Sequence, residues 1–156
     1  MTHSGWAMPS DEDDDIPANC SLIPDFIVKD ARLWFYRAFI ARVVDGDTVI
    51  AVLDRGLQDF KVLKLRLAGV DAPELRPRDG TLEQRNIERA LAERAKQRLI
   101  VLINQREVIV QLHKTRKRDR WLASVFLPSS FERTANQTLL DEKLAVRYGE
   151  QRPWRL

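Results

Sequence analysis

Five short apolar runs, interrupted after the third by one long run of helical period, most limit how this chain can fold. "LWFYRAFIARVV" (33–44) resumes after a tight turn as Val49–Leu53, and Phe60–Val70 is a third run, joined to the second through "DRGLQD" with its Gly56. Each is rich in β-branched or aromatic residues and bounded by turn residues, the mark of a strand. At Thr81 the period changes. Thr81 with Gln84 matches a capping box, and Ile87, Leu91, Ala95, Leu99 and Leu102 recur at helical spacing with Arg85, Arg89, Arg94 and Arg98 between them. The pattern predicts an amphipathic helix with a basic outer face. Glu107–Leu112 and Trp121–Leu127 read as strands around "HKTRKRDR", and Thr134 with Gln137 opens a second helix through about Ala145.

Three strands, a helix, two strands and a helix do not alternate as a doubly wound sheet requires. The order predicts an α+β fold, a five-stranded Greek-key barrel of the OB type with two helices. A chain of 156 residues that is 44% hydrophobic can bury one such core. No apolar stretch approaches the roughly 20 residues of a spanning helix, and the N-terminus has neither the basic nor the apolar part of a signal peptide. A cytoplasmic protein is therefore expected. Cys20 is the single cysteine, so no internal disulfide forms, and with His3 and His113 it makes no zinc set.

The net charge of +3 conceals an uneven distribution. Residues 1–30 hold one basic residue against seven acidic ones, leaving 25 basic and 16 acidic in residues 31–156, a net +9. A basic body points to a polyanionic partner, nucleic acid first, or to Lys and Arg that merely solvate helix faces. The acidic block Asp11–Asp15 between Pro9 and Pro17 favours disorder, so residues 1–30 read as an acidic N-terminal extension and 31–156 as the domain. Within the extension, "LIPDFIV" is the stretch able to lie against the core. Folded back, the extension would compete with a phosphate at low ionic strength.

Between the first two runs stands Asp45-Gly46-Asp47-Thr48, either the tight turn of a hairpin or a means of bringing carboxylates to a metal. An EF-hand loop is excluded, because its fifth and twelfth positions would be Val49 and Gly56. The metal reading gains from "RLAGVDAPE", where Asp71 closes a strand, Pro73 stops it and Glu74 follows, with Arg66 upstream. A further element is Arg120 in "RKRDRWLA", at the start of another strand. Leu63, Leu65 and Leu67 alternate to one face and place Arg66 on the other, so Asp71, five residues on, shares its cleft only if the strand breaks. Gly69 is the residue expected at the break.

Together "DGDT" (45–48), "RLAGVDAPE" (66–74) and "RWLASVFL" (120–127) resemble, in order and spacing, the signature of the staphylococcal nuclease (thermonuclease-like) family over about residues 38–148. The resemblance implies that Asp47 and Asp71 bind a catalytic Ca²⁺ with the backbone carbonyl of Ala72 as a further ligand. It implies that Glu74 acts on the attacking water, that Arg66 and Arg120 hold the phosphate, and that Asp45 lies behind the ligands. Many members have Tyr-Gly where Arg118 and Asp119 stand here, which makes Arg118 the alternative guanidinium. Tyr148, just past the second helix, either stacks a base or packs. The chain ends at "YGEQRPWRL" without the third helix of the secreted enzyme, as a short, non-secreted branch would.

The implied reaction is hydrolysis of DNA and RNA phosphodiesters, leaving 3′-phosphates, and the residue types suit it. A nucleophile must approach an anion, and the transition state adds negative charge that two guanidiniums and a divalent cation compensate. Oxygen-only ligands select a hard cation, and so few of them bind Ca²⁺ weakly, on the order of 10⁻⁴–10⁻³ M. Glu74 is either a general base or an orienter of water. His113 is read as a strand residue and not a catalyst; Trp34 and Trp121 are read as core or cleft wall. Two other functions stay open: an inactive nucleic-acid or protein-binding module on the same barrel, and a regulatory protein acting through its acidic head.

Overall fold

A computed structural model describes residues 34–113, 121–128 and 130–155. The expectations for residues 1–30, Arg118 and Arg120 fall outside these residues.

The first hairpin pairs β1 (Phe35–Asp45) with β2 (Thr48–Asp54), and β3 (Phe60–Leu67) adds antiparallel to β2. Helix α1 (Leu82–Ile103) crosses to β5 (Glu107–His113), which returns antiparallel to β1, and β6 (Trp121–Leu127) follows on β5. A parallel pairing of β3 with β6, through Leu65 with Trp121 and Leu67 with Ala123, closes the ring. The result is the expected five-stranded OB-type barrel with two helices. Short ladders are added to it: β4 (Val70–Asp71) pairs with β8 (Val146–Arg147), and β7 (Ser130–Thr134) extends β6 outside the ring.

Alternation along the strands fills the barrel. Ile40, Val49, Ala51, Leu53, Leu65, Leu67, Val110, Ala123 and Val125 point inward, and Leu99 and Ile103 of α1 with Leu139 of α2 (Ala135–Asp141) extend the same core. The capping box at Thr81 forms as expected, with Gln84 N–H on the Thr81 hydroxyl and the Gln84 side chain on Thr81 N–H. The buried stripe of α1 differs from the expected one. Ile87 is 51% exposed, and the stripe runs Glu88, Ala92, Ala95, Leu99, Ile103, starting on a charged residue that is 2% exposed.

Helix α2 begins at its Thr134 cap but stops at Asp141, short of the expected Ala145. Lys143 takes a φ of 56°, while its N–H bonds Leu140 O and Leu144 N–H bonds Leu139 O. This is the helix stop usually built on glycine. With lysine there, the stop leaves no mark in the sequence. Among the described residues no helix is long and apolar enough to cross a membrane.

Candidate active site

The turn Gly46–Asp47 joins β1 to β2, and Thr48 pairs with Arg66 across the β2–β3 ladder, so Asp47 and Arg66 are neighbours by register. Neither turn residue has a positive φ, which the Asp-Gly hairpin signal would lead one to expect. Gly46 serves another purpose: a Cβ there would lie 2.9 Å from Ala95 Cβ and 3.0 Å from Ala72 Cβ. Its absence lets α1 and the loop bearing Asp71 close on the turn.

Downstream, β3 ends at Leu67 and Gly69 breaks it with a φ of 71°, as expected, so that β4 carries Asp71 back toward Arg66. A break costs ladder hydrogen bonds unless the freed groups find partners. Ala68 N–H donates to Ala123 O, Asn136 Nδ2 donates to Ala68 O at 3.0 Å, and Tyr148 N–H donates to Gly69 O at 3.0 Å. Asn136, buried at the start of α2, also donates to Ala123 O and accepts from Val125 N–H.

One nitrogen, Arg66 Nη2, lies 2.9 Å from Asp47 Oδ2 and 3.2 Å from Asp71 Oδ1. The two carboxylates are therefore within two hydrogen-bond lengths of each other. Burial pushes the Asp47 carboxyl above its usual range; Arg66, the Thr48 hydroxyl and a backbone hydrogen bond from Ala72 pull it down only in part. Asp71 Oδ2 accepts from Arg152 Nε at 2.5 Å. Glu74, half exposed, is met by Arg155 Nη2 at 2.9 Å, and that same nitrogen reaches Glu88 Oε1 at 3.2 Å. Glu88 also accepts the Glu74 backbone N–H at 3.1 Å.

Of these groups Asp47, Arg66, Asp71, Glu74 and Arg152 line an open cleft of about 790 Å³, together with Asp45 and Ala72. Lys64, Arg76 and Lys96 add positive charge around it, and Trp121 forms part of the wall, one of the two places read for it. Arg120, the residue before Trp121, is outside the described residues. Tyr148 is 69% exposed and is not part of the lining. Trp34 precedes β1 with a φ of 74° and is 39% exposed, so it is not core. His113 ends β5 with its Nε2 2.8 Å from Ser124 Oγ, as a strand residue would.

Two close carboxylates, one of whose charge burial disfavours and Arg66 only partly compensates, form an all-oxygen donor set suited to a hard cation. Among the described residues no group of three or more His, Cys, Asp or Glu side chains is placed to hold a metal. Asp47 and Asp71 alone fall below that number, so an ion between them would be held weakly, with several positions left to other oxygen ligands. Arg152, Arg155, Glu88 and Asn136 were not singled out from the sequence. Only Glu88 carried a signal, being in line with Ala92, Ala95 and Leu99 on the buried stripe.

A comparison with curated proteins finds no match. A family model described as staphylococcal nuclease homologue matches residues 64–155, from the third barrel strand to the C-terminal turn. This span exceeds half of the chain, and it contains Arg66, Asp71, Glu74 and the β3–β6 closure of the barrel. The chain belongs to the staphylococcal nuclease homologue family.

Proposed function

We propose that this protein is a Ca²⁺-dependent phosphodiesterase that hydrolyses DNA, RNA or both. Its family gives it a nuclease-like or nucleic-acid-binding OB module. The observation that carries the enzymatic reading is the convergence of Asp47, Asp71 and Arg66 on one point, with Glu74 on the same cleft. A binding module has no use for two buried carboxylates facing an anionic ligand, whereas a hydrolase that holds a cation does.

Asp47, Asp71 and the Ala72 carbonyl would hold the cation, with Asp45 behind them. When bound, a cation there sets positive charge against the phosphate and acidifies or positions a water. Arg66 and Arg120 clamp the phosphate, because a guanidinium presents two parallel donors to an oxyanion where an ammonium presents a point charge. Glu74, at the open rim, takes up or orients the proton of the attacking water. Lys64, Arg76 and Lys96 supply the positive rim that draws in a polyanion.

The test is incubation of the purified protein with single- and double-stranded DNA and RNA, in Ca²⁺ or in chelator. Cleavage in Ca²⁺ that stops in chelator is expected. Retention of polynucleotide without cleavage would instead fit an inactive binding barrel.

A further inference from the structure

The C-terminal turn brings to the cleft a cation that the hydrolytic scheme does not require. Arg152 Nε lies 2.5 Å from Asp71 Oδ2, and its Nη1 lies 4.0 Å from Glu74 Oε1. The segment that carries it is fastened on both sides. Before it, β8 pairs with β4, the strand that ends in Asp71. After it, in the 3₁₀ turn Pro153–Arg155, Trp154 is buried, Arg155 N–H bonds Arg152 O at 3.1 Å, and the Arg155 guanidinium bridges Glu74 and buried Glu88. Arg152 is thus held at the site by its own backbone.

Both oxygens of Asp71 are consequently engaged, Oδ1 by Arg66 and Oδ2 by Arg152. A divalent cation entering between Asp47 and Asp71 meets a second guanidinium beyond the one at Arg66. From this geometry we infer that Arg152 is a built-in competitor for the divalent cation at Asp71, set by the C-terminal turn to keep the site weakly loaded. The inference rests on the nuclease reading and adds to it a regulation of the same site. The competition is partial, since a carboxylate oxygen has two lone pairs and Arg152, about one-third exposed, can swing toward solvent. Its strength follows from charge: a unit positive charge a few ångströms from a doubly charged ion raises the dissociation constant by roughly tenfold in a partly solvated cleft.

Two other roles for Arg152 make different predictions. As a phosphate ligand it would leave metal affinity unchanged and act on KM. As a simple structural pair it would lower the melting temperature when removed, with metal affinity falling alongside because Asp71 would lose its support.

The experiment is a titration of the full chain with Tb³⁺, followed by luminescence, with Ca²⁺ as competitor, for wild type, Arg152→Gln, Arg152→Lys and the double variant Arg152→Gln/Asp71→Asn. Arg152→Gln is expected to bind about tenfold more tightly than wild type. Arg152→Lys, which keeps the charge but carries it on a flexible stem with no Nε to fix it at Asp71 Oδ2, should fall between them, and its shift reads the same competition should the glutamine variant fail to fold. The double variant should lose the gain, because Asp71 is where the two cations compete. Unchanged or weaker binding in both single variants, with wild type saturable, overturns the competition and leaves the nuclease reading standing. No saturable binding in any of the proteins overturns both.

Discussion

At the scale of the residue, the carboxylates were legible because they stand in short stretches of distinctive order, and the network that holds them was not. Asp47, Arg66, Asp71 and Glu74 could be named from "DGDT" and "RLAGVDAPE", and the structure places all four on one cleft. Arg152 and Arg155 lie 81 and 67 residues from Asp71 and Glu88 along the chain, and no spacing rule links such partners. Glu88 stands in line with Ala92, Ala95 and Leu99, yet a glutamate beside Ile87 reads as surface until its partner Arg155 is in view. Two predictions belong here. If Arg66 clamps the phosphate, Arg66→Ala should lower kcat by roughly 10²–10³, the cost of one preorganised donor, while exposed Arg89→Ala changes it little. Steady-state kinetics on a polynucleotide check this, and equal small effects would mean the wrong guanidinium. Asp47 offers a test without turnover. Its folded carboxyl titrates above the ordinary value of 3.8 because of burial, so over a window above 3.8 the folded chain keeps a proton that the unfolded chain has lost. The stability of the metal-free protein therefore falls as pH rises through that window, and the ionised group weighs against folding above it. Asp47→Asn should raise the melting temperature in chelator at neutral pH, with the gain shrinking toward pH 4. A lower melting temperature would mean that the pair with Arg66 outweighs the desolvation.

At the scale of the element, hydrophobic period and capping chemistry predicted each barrel strand and both helix starts. They failed where the backbone does something costly without the residue that usually does it. Helix α2 stops on Lys143 in the left-handed region, and no glycine announces it. The break at Gly69 was legible, since an unbroken strand would have sent Arg66 and Asp71 to opposite faces. What could not be read was how the break is satisfied, because Asn136 acts from a helix almost 70 residues away. It is the rivet between the broken strand, β6 and α2. Asn136→Ala should cost about 2–3 kcal/mol, since it strands the buried N–H of Val125 and the half-buried carbonyl of Ala68, while Ala123 O keeps only its bond from Ala68 N–H. Urea unfolding measures the loss, and a cost below about 0.5 kcal/mol would show that water or a local shift replaces these bonds.

At the scale of the whole molecule, the barrel closes through β3 and β6, and this closure puts the end of β3 beside the start of β6. The elements of the candidate site, namely the β1–β2 turn, the broken β3–β4 segment and the wall at Trp121, therefore meet at one end of the ring. The C-terminal segment meets the same cleft, where Arg152 is part of the lining and Arg155 reaches Glu74. Basic charge around the cleft suits a polyanion, and the two buried carboxylates suit a hydrolase that neutralises them with a metal. If these carboxylates serve a cation used in cleavage, the rate of polynucleotide cleavage must follow free Ca²⁺, measured from chelator to saturation for wild type and Asp71→Asn. Wild type should be silent in chelator and saturate with Ca²⁺, and Asp71→Asn should need far more Ca²⁺ or fail to cleave. Undiminished cleavage in chelator, or an Asp71→Asn curve that overlays wild type, would contradict it.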